Sequence, residues 1–152
     1  MRRAALLTAW LLGMAPAFAA DPAQLDPFAQ ATRGYAGCPE VPPPHMTTEQ
    51  AQAQAHARAE RGTRCAMEGT CEPGGAYRRD PEINEEVRAA VAADRRFADT
   101  SVWLTTSRKW VTLAGCVHSS TQRRALVAFV SHQPRVEKVF DELRVGTRAG
   151  SR

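Results

Sequence analysis

The sequence predicts a small α+β domain whose elements follow the order helix, strand, strand, helix, strand. The stretch from Trp110 to Val117 alternates apolar residues with polar or small ones, as a strand with one buried face does. Residues 100–105 alternate in the same way, so the two stretches predict a hairpin. Amphipathic helical patterns precede and follow this hairpin. Both helices are expected to pack on its aliphatic face.

The register of the hairpin follows from its side chains. A turn centred on Ser107 and Arg108 brings directly opposed residues to the same face of the two strands. One face then collects the aliphatic side chains of Val102, Leu104, Val111 and Leu113, with Leu104 opposite Val111 and Val102 opposite Leu113. The other face collects Trp103, Thr105, Trp110, Thr112, Ala114 and Cys116.

The first helix of the domain begins at Asp80-Pro81, with Asp80 as the N-cap and Pro81 in the first turn. Its apolar stripe consists of Ile83, Val87, Ala90 and Val91, with Phe97 just past the helix end. A capping-box spacing from Ser119 to Gln122 predicts the second helix. That helix turns Leu126, Phe129 and Val130 inward and ends before Pro134, and residues 136–145 predict the third strand.

Residues 20–76 form an N-terminal extension. Residues 21–44 have no convincing periodicity and several prolines, which predicts an extended lead-in. Thr47 and Gln50 have capping-box spacing ahead of an Ala-rich helix at about residues 48–61, which Gly62 is expected to end. The apolar face of this helix is expected to contain Ala51, Ala55 and Ala59, and residues 68–76 are expected to form a loop.

Residues 1–19 have the pattern of a secretory signal peptide: a basic start, an apolar core and the small-x-small sequence Ala17-Phe18-Ala19. Cleavage is expected between Ala19 and Ala20, which predicts an exported protein. A membrane anchor is the weaker interpretation, because the apolar run is short for a bilayer. Of the 20 basic residues two lie in this segment, which leaves 18 against 16 acidic residues and does not favour a nucleic-acid partner. Residues 148–152 are expected to be a disordered tail.

Four cysteines in an oxidising compartment predict two disulfides, for which three pairings exist. The short loop favours Cys65–Cys71, which leaves Cys38–Cys116. The Cys and His spacings match no paired zinc motif, and no catalytic motif is present. The sequence therefore predicts neither an enzyme nor a bound metal or cofactor.

The hydrophobic spacing of residues 80–146 resembles that of the BON domain. The resemblance rests on Ile83-x3-Val87, Phe97, Val102-x-Leu104, the stretch 110–119, and Val136-x2-Val139-x3-Leu143-x-Val145. It implies a three-stranded mixed sheet beneath two helices on one face, formed by residues 77–147. It also implies a periplasmic or membrane-associated role, for which phospholipid or envelope binding is the usual proposal.

Gly115 matches the glycine of that family, and its missing side chain is expected to let a helix backbone or a bend come close. Two positions depart from the family pattern. The turn at residues 107–109 has no glycine, and Cys116 stands where the family usually has no cysteine. Many family members carry two such domains, whereas this chain contains one.

Cys116 lies on the face that contains Trp103 and Trp110, with Phe140 beside them if Val139 points inward. A disulfide from Cys116 would tether the residue 38–76 segment there. We therefore expect that segment to cover both indoles, because a second apolar face adds core to a small domain. The alternative is an exposed aromatic patch for a membrane or a partner.

Basic pairs at turns and helix ends are the candidate contact residues: Arg108 and Lys109 beside Trp110, and Arg123 and Arg124 at the second helix. If they converge on one edge, they can hold anionic lipid head groups. Dispersed charges that keep the surface soluble are the simpler interpretation. The resemblance to the BON domain implies a periplasmic module that binds phospholipid, with a role in envelope stress or integrity. The alternative is a protein-interaction or chaperone-like module, with another envelope protein as its partner.

Overall fold

The computed structural model describes residues 25–147. Its elements in chain order are β1 (Phe28–Arg33), α1 (Thr48–Met67), α2 (Asp80–Ala93), a short 3-10 turn (Arg95–Phe97), β2 (Ser101–Ser107), β3 (Trp110–Val117), α3 (Ser120–Ser131) and β4 (Lys138–Val145). The predicted signal peptide and the predicted C-terminal tail lie outside the described residues. Within residues 25–147 no helix combines the length and the hydropathy that a bilayer span requires.

The sheet has four strands in the order β1-β2-β3-β4, with β1, β2 and β3 antiparallel and β4 parallel to β3. The α+β class is confirmed, but the predicted count of three strands is wrong. The fourth strand, β1, lies in the segment predicted to be an extended lead-in. Its six residues contain no aliphatic side chain larger than alanine, so no alternating pattern marks the strand in the sequence. The ladder with β2 stabilises it instead.

The predicted faces of the hairpin are confirmed, but the turn is centred on Arg108 and Lys109 instead of on Ser107 and Arg108. Leu104 therefore lies opposite Leu113, and Val111 lies opposite Thr106. Side chains alternate with a period of two, so this shift of two residues leaves both faces unchanged. Arg108 and Lys109 have φ angles of 55° and 63°, the left-handed values that a two-residue hairpin turn requires.

Asp80 compensates for the missing glycine in this turn. The prediction that it is the N-cap of α2 is wrong, because Arg79 occupies that position and Asp80 is the first helical residue. The Asp80 carboxylate accepts the backbone N–H of Arg108 at 2.7 Å and that of Lys109 at 2.8 Å. With 2% of its surface exposed, this carboxylate joins the start of α2 to the tip of the hairpin.

The core lies between the sheet and the pair α2 and α3, as predicted. Fully or almost fully buried side chains fill it: Ile83, Val87, Val91, Phe97, Val102, Leu104, Val111, Leu113, Val117, Leu126, Val130 and Leu143. The Ser119 hydroxyl caps α3 by accepting the Gln122 N–H at 3.1 Å. The Gln122 side chain departs from the predicted capping box, because its oxygen accepts the N–H of His118 instead of that of Ser119.

Gly115 is required by the neighbouring strand. Its φ is 128°, and a Cβ at this position would lie 2.0 Å from the carbonyl oxygen of Ser101 on β2. The close approach expected at this glycine is present, but the approaching backbone belongs to strand β2 and not to a helix or a bend.

The predicted capping box at the start of α1 is confirmed by a hydrogen bond in each direction between Thr47 and Gln50. The helix continues past Gly62 to Met67, so the predicted end is wrong. Gly62 is buried inside the helix because the backbone of Gly75 packs against it. A Cβ on Gly75 would lie 2.7 Å from the Gly62 Cα.

The inner side of α1 also differs from the prediction. Ala51 is buried, but Ala55 and Ala59 are exposed. One turn from Ala55, Arg58 forms a bidentate ion pair with Asp26, with N–O distances of 2.8 and 2.9 Å. Arg58 and Gly62, and not the regularly spaced alanines, therefore mark the side of α1 that faces the rest of the protein. The spacing of the alanines could not predict this side.

We expect Asp80→Ala to lower the free energy of unfolding by about 2–4 kcal/mol, because it leaves two N–H groups of a strained turn unpaired. Urea unfolding followed by circular dichroism measures the loss. Asp94→Ala is the matched control, because the Asp94 carboxylate accepts the Arg96 N–H at 3.0 Å in an exposed turn. Asp94→Ala should lower the free energy of unfolding by only about 1 kcal/mol. Equal losses in the two variants would contradict the role given to Asp80.

Burial raises the pKa of the Asp80 carboxyl, although the N–H groups of Lys109 and Arg108 act to lower it. The folded protein therefore holds this proton more tightly than the unfolded chain does. The stability contributed by Asp80 is complete below the unfolded pKa and declines as pH rises through the folded pKa. The difference in unfolding free energy between the native protein and Asp80→Asn should thus shrink from about pH 3 to pH 7. Urea titrations at several pH values test this, and a difference that grows with pH would refute it.

Candidate functional site

The outer face of the sheet is the side turned away from α2 and α3. The register of β3 with β4 sets Trp110 beside Lys138 and Thr112 beside Phe140 on this face. Val139 packs against the core, so Phe140 points outward. The outer face therefore carries Trp103, Trp110, Lys138 and Phe140.

A disulfide ties the N-terminal extension to this face. The structure joins Cys38 to Cys116 and Cys65 to Cys71, which is the pairing favoured by loop length. Residues 39–44, here called the proline strap, lead away from Cys38. Val41, Pro42 and Pro44 of the strap border a cavity of about 240 Å³ above the sheet.

The strap covers one of the two indoles. Trp103 borders the cavity under the strap and has only 7% of its surface exposed. Trp110, near the tip of the hairpin, is only partly buried. The expected cover is therefore present over Trp103 and incomplete over Trp110.

Trp110 belongs to a group of four residues, here called the cationic aromatic cluster: Arg108, Trp110, Lys138 and Phe140. The Arg108 guanidinium lies 4.9 Å from the centre of the indole ring. The Lys138 ammonium lies 5.6 Å from that ring and 4.7 Å from the Phe140 ring. The two rings meet edge to face at 5.8 Å, and Phe140 is 38% exposed.

The two cations of the cluster have no carboxylate partner within residues 25–147. Other basic residues near the hairpin tip are neutralised. Lys109 pairs with Glu137 at 3.1 Å, and Arg79 pairs with Glu72 and Glu82 at 2.9 and 3.0 Å. The aromatic faces hold the Arg108 and Lys138 charges at the surface and leave them available to an anion.

Arg123 and Arg124 do not converge with the hairpin tip, which is the alternative of dispersed charges for these two residues. These residues lie in α3, which begins beyond the C-terminal end of β3, whereas Trp110 begins that strand. α3 packs on the core face of the sheet, whereas the cluster lies on the outer face, so the sheet separates the two groups. Arg123 is also paired with Asp141 at 2.8 Å.

Lys138 was not among the residues predicted from the sequence. Its alternation with Phe140 was a usable signal, since two residues separated by one position share a face of a strand. The sequence did not show which residue of β3 lies beside Lys138. The register of β4 against β3 pairs it with Trp110. Within the described part of the chain, no cluster of three or more His, Cys, Asp or Glu residues has the geometry of a metal site.

The family model of the BON domain matches residues 79–147. This segment is a BON domain. It contains α2, the hairpin, α3 and β4, and therefore the whole cationic aromatic cluster. Strand β1, the proline strap and helix α1 precede the matched residues. Comparison with curated proteins and with solved structures gave no match.

Removing the Cys38–Cys116 link by a double Cys→Ser substitution should lower the free energy of unfolding by about 3–5 kcal/mol, because it frees a loop of 78 residues. It should also expose Trp103 to iodide in a Trp110→Phe background lacking residues 1–19, which contain Trp10. The matched control removes Cys65 and Cys71, whose loop is short. The control variant should lower the free energy of unfolding by about 2 kcal/mol and leave Trp103 protected from iodide. Unchanged quenching after loss of Cys38–Cys116 would show that this disulfide does not hold the strap.

Proposed function

We propose that the protein is a non-enzymatic periplasmic module that binds anionic phospholipid surfaces through the cationic aromatic cluster of its BON domain. One observation carries this proposal. Arg108 and Lys138 have no carboxylate partner among residues 25–147, and they stand against the partly exposed rings of Trp110 and Phe140. Indole and phenyl rings beside basic side chains suit the boundary between lipid head groups and acyl chains.

The strength of such a contact can be estimated. A basic side chain close to an anionic surface contributes about 1 kcal/mol, so Arg108 and Lys138 together contribute about 2 kcal/mol. Partial insertion of Phe140 adds a hydrophobic term. The sum supports reversible binding that weakens as salt screens the charges.

The family and the cysteines support the proposed location and role. BON domains are regarded as phospholipid-binding modules of envelope proteins and are non-catalytic. Two disulfides are consistent with an oxidising compartment such as the periplasm. The signal-peptide pattern of residues 1–19 agrees with export. A role in envelope integrity or stress follows if the protein attaches to the membrane surface there.

Sedimentation with vesicles tests this function. The protein should sediment with vesicles that contain about 30% anionic phospholipid and remain in the supernatant with zwitterionic vesicles. The double variant Arg108→Glu/Lys138→Glu should bind about 30-fold more weakly, which corresponds to the loss of about 2 kcal/mol. Binding by the native protein should fall as NaCl is raised from about 50 to 500 mM.

The control variant, Arg95→Glu/Arg124→Glu, makes the same change in net charge at two exposed positions outside the cluster. It should retain most of the binding. Equal weakening of both variants would mean that net charge, and not the cluster, drives association. Equal recovery with anionic and zwitterionic vesicles would end the lipid proposal and leave the protein-partner function.

A further inference from the structure

The cavity beneath the proline strap is a groove on the same face as the cationic aromatic cluster. Trp103, Thr112 and Ala114 form part of its floor, and the strap residues Val41, Pro42 and Pro44 line its other side. Glu142 is the only charged residue among those that border it. The groove therefore offers a largely uncharged surface next to a cationic one.

The strap spans the sheet without filling the space below it. The groove is open to solvent on one side and has a volume of about 240 Å³. Thr105, Thr112 and Ala114 remain only partly buried beneath the strap. The small side chain of Ala114 leaves room for an apolar segment that residues 25–147 do not supply.

The chemistry of the strap suits an apolar occupant. Pro42, Pro43 and Pro44 have no backbone N–H, so this part of the strap presents rings and no backbone donors. Their fixed φ angles favour a stiff extended chain that needs no ladder of hydrogen bonds. The Cys38–Cys116 disulfide anchors one end of the strap, and the capping box at Thr47 fixes the chain just beyond the other. The groove is therefore held open before any ligand arrives.

The groove and the cluster are continuous along the sheet. Thr112, in the floor of the groove, lies beside Phe140 in the register of β3 and β4. Trp110 lies two residues before Thr112 on the same face, a distance of about 7 Å. Glu142 lies further along β4 than Phe140, away from the Lys138 charge. A phosphate is thus favoured at the Arg108 and Lys138 end only, and a chain attached to it can enter the groove.

We propose that the groove holds one acyl chain of the anionic phospholipid whose head group contacts the cationic aromatic cluster. This inference rests on the proposed function and deepens it. The protein then draws a single lipid molecule partly out of the bilayer, whereas adsorption through the cluster alone leaves every acyl chain in the membrane.

Photo-crosslinking of the protein without residues 1–19 tests the inference. The probe is a phosphatidylglycerol with a diazirine in one acyl chain, incorporated into anionic vesicles. After illumination, mass spectrometry of proteolytic peptides locates the labelled residues. We expect labels on the strap, residues 39–44, and on the groove residues Phe28 and Trp103. Labels confined to the cluster and its neighbours, or no labels at all, would overturn the groove proposal.

A variant that fills the groove provides a second test. Ala114→Phe should abolish the labels on the strap, because the added ring occupies the space of the acyl chain, while vesicle sedimentation persists through the cluster. Ala128→Phe adds the same ring on the exposed side of α3 and should leave the labels unchanged. Thermal unfolding and disulfide mapping show whether each variant keeps the native fold. Persistence of the strap labels in a folded Ala114→Phe protein would also overturn the proposal.

The two proposals fail in different ways. Sedimentation with anionic vesicles in the absence of strap labels contradicts the groove alone. Absence of sedimentation contradicts the surface function, and the groove proposal fails with it.

Discussion

The pairing of the Asp80 carboxylate with the hairpin turn is the interaction on which the rest of the structure depends. It joins the first residue of α2 to Arg108 and Lys109 and holds both in the left-handed region without a glycine. The turn sets the register of β2 with β3, and so which side chains enter the core. It also sets the position from which Arg108 reaches the Trp110 ring. One buried carboxylate thereby serves both the fold and the candidate site.

The Cys38–Cys116 disulfide divides the outer face into two parts with different properties. Near Cys116 the proline strap shelters Trp103, whereas at the opposite end of β3 the rings of Trp110 and Phe140 remain accessible. A domain of this size gains stability from a second covered face. Incomplete cover leaves an aromatic surface beside two cations. The extension that stabilises the sheet therefore also limits which part of the outer face is accessible.

Ion pairing selects the cations that are available for binding. Lys109 and Arg123 belong to the basic pairs that stand out in the sequence, but Glu137 and Asp141 neutralise them. Arg108 and Lys138 are held by aromatic rings, which attract a cation without cancelling its charge. At the hairpin tip, Arg108 and Lys138 therefore keep their charge beside two aromatic rings, whereas the charge of Lys109 is neutralised by Glu137.

The sequence by itself determined the features that depend on neighbours along the chain. The two faces of the hairpin, the stripes of α2 and α3 and the capping box at Thr47 follow from local periodicity and spacing. Loop length was enough to favour Cys65–Cys71. Only the tertiary structure decided the pairing of β1 with β2, the contact of Gly62 with Gly75 and the approach of Lys138 to Trp110. Each of these joins residues far apart in the chain, where no local pattern records the partner.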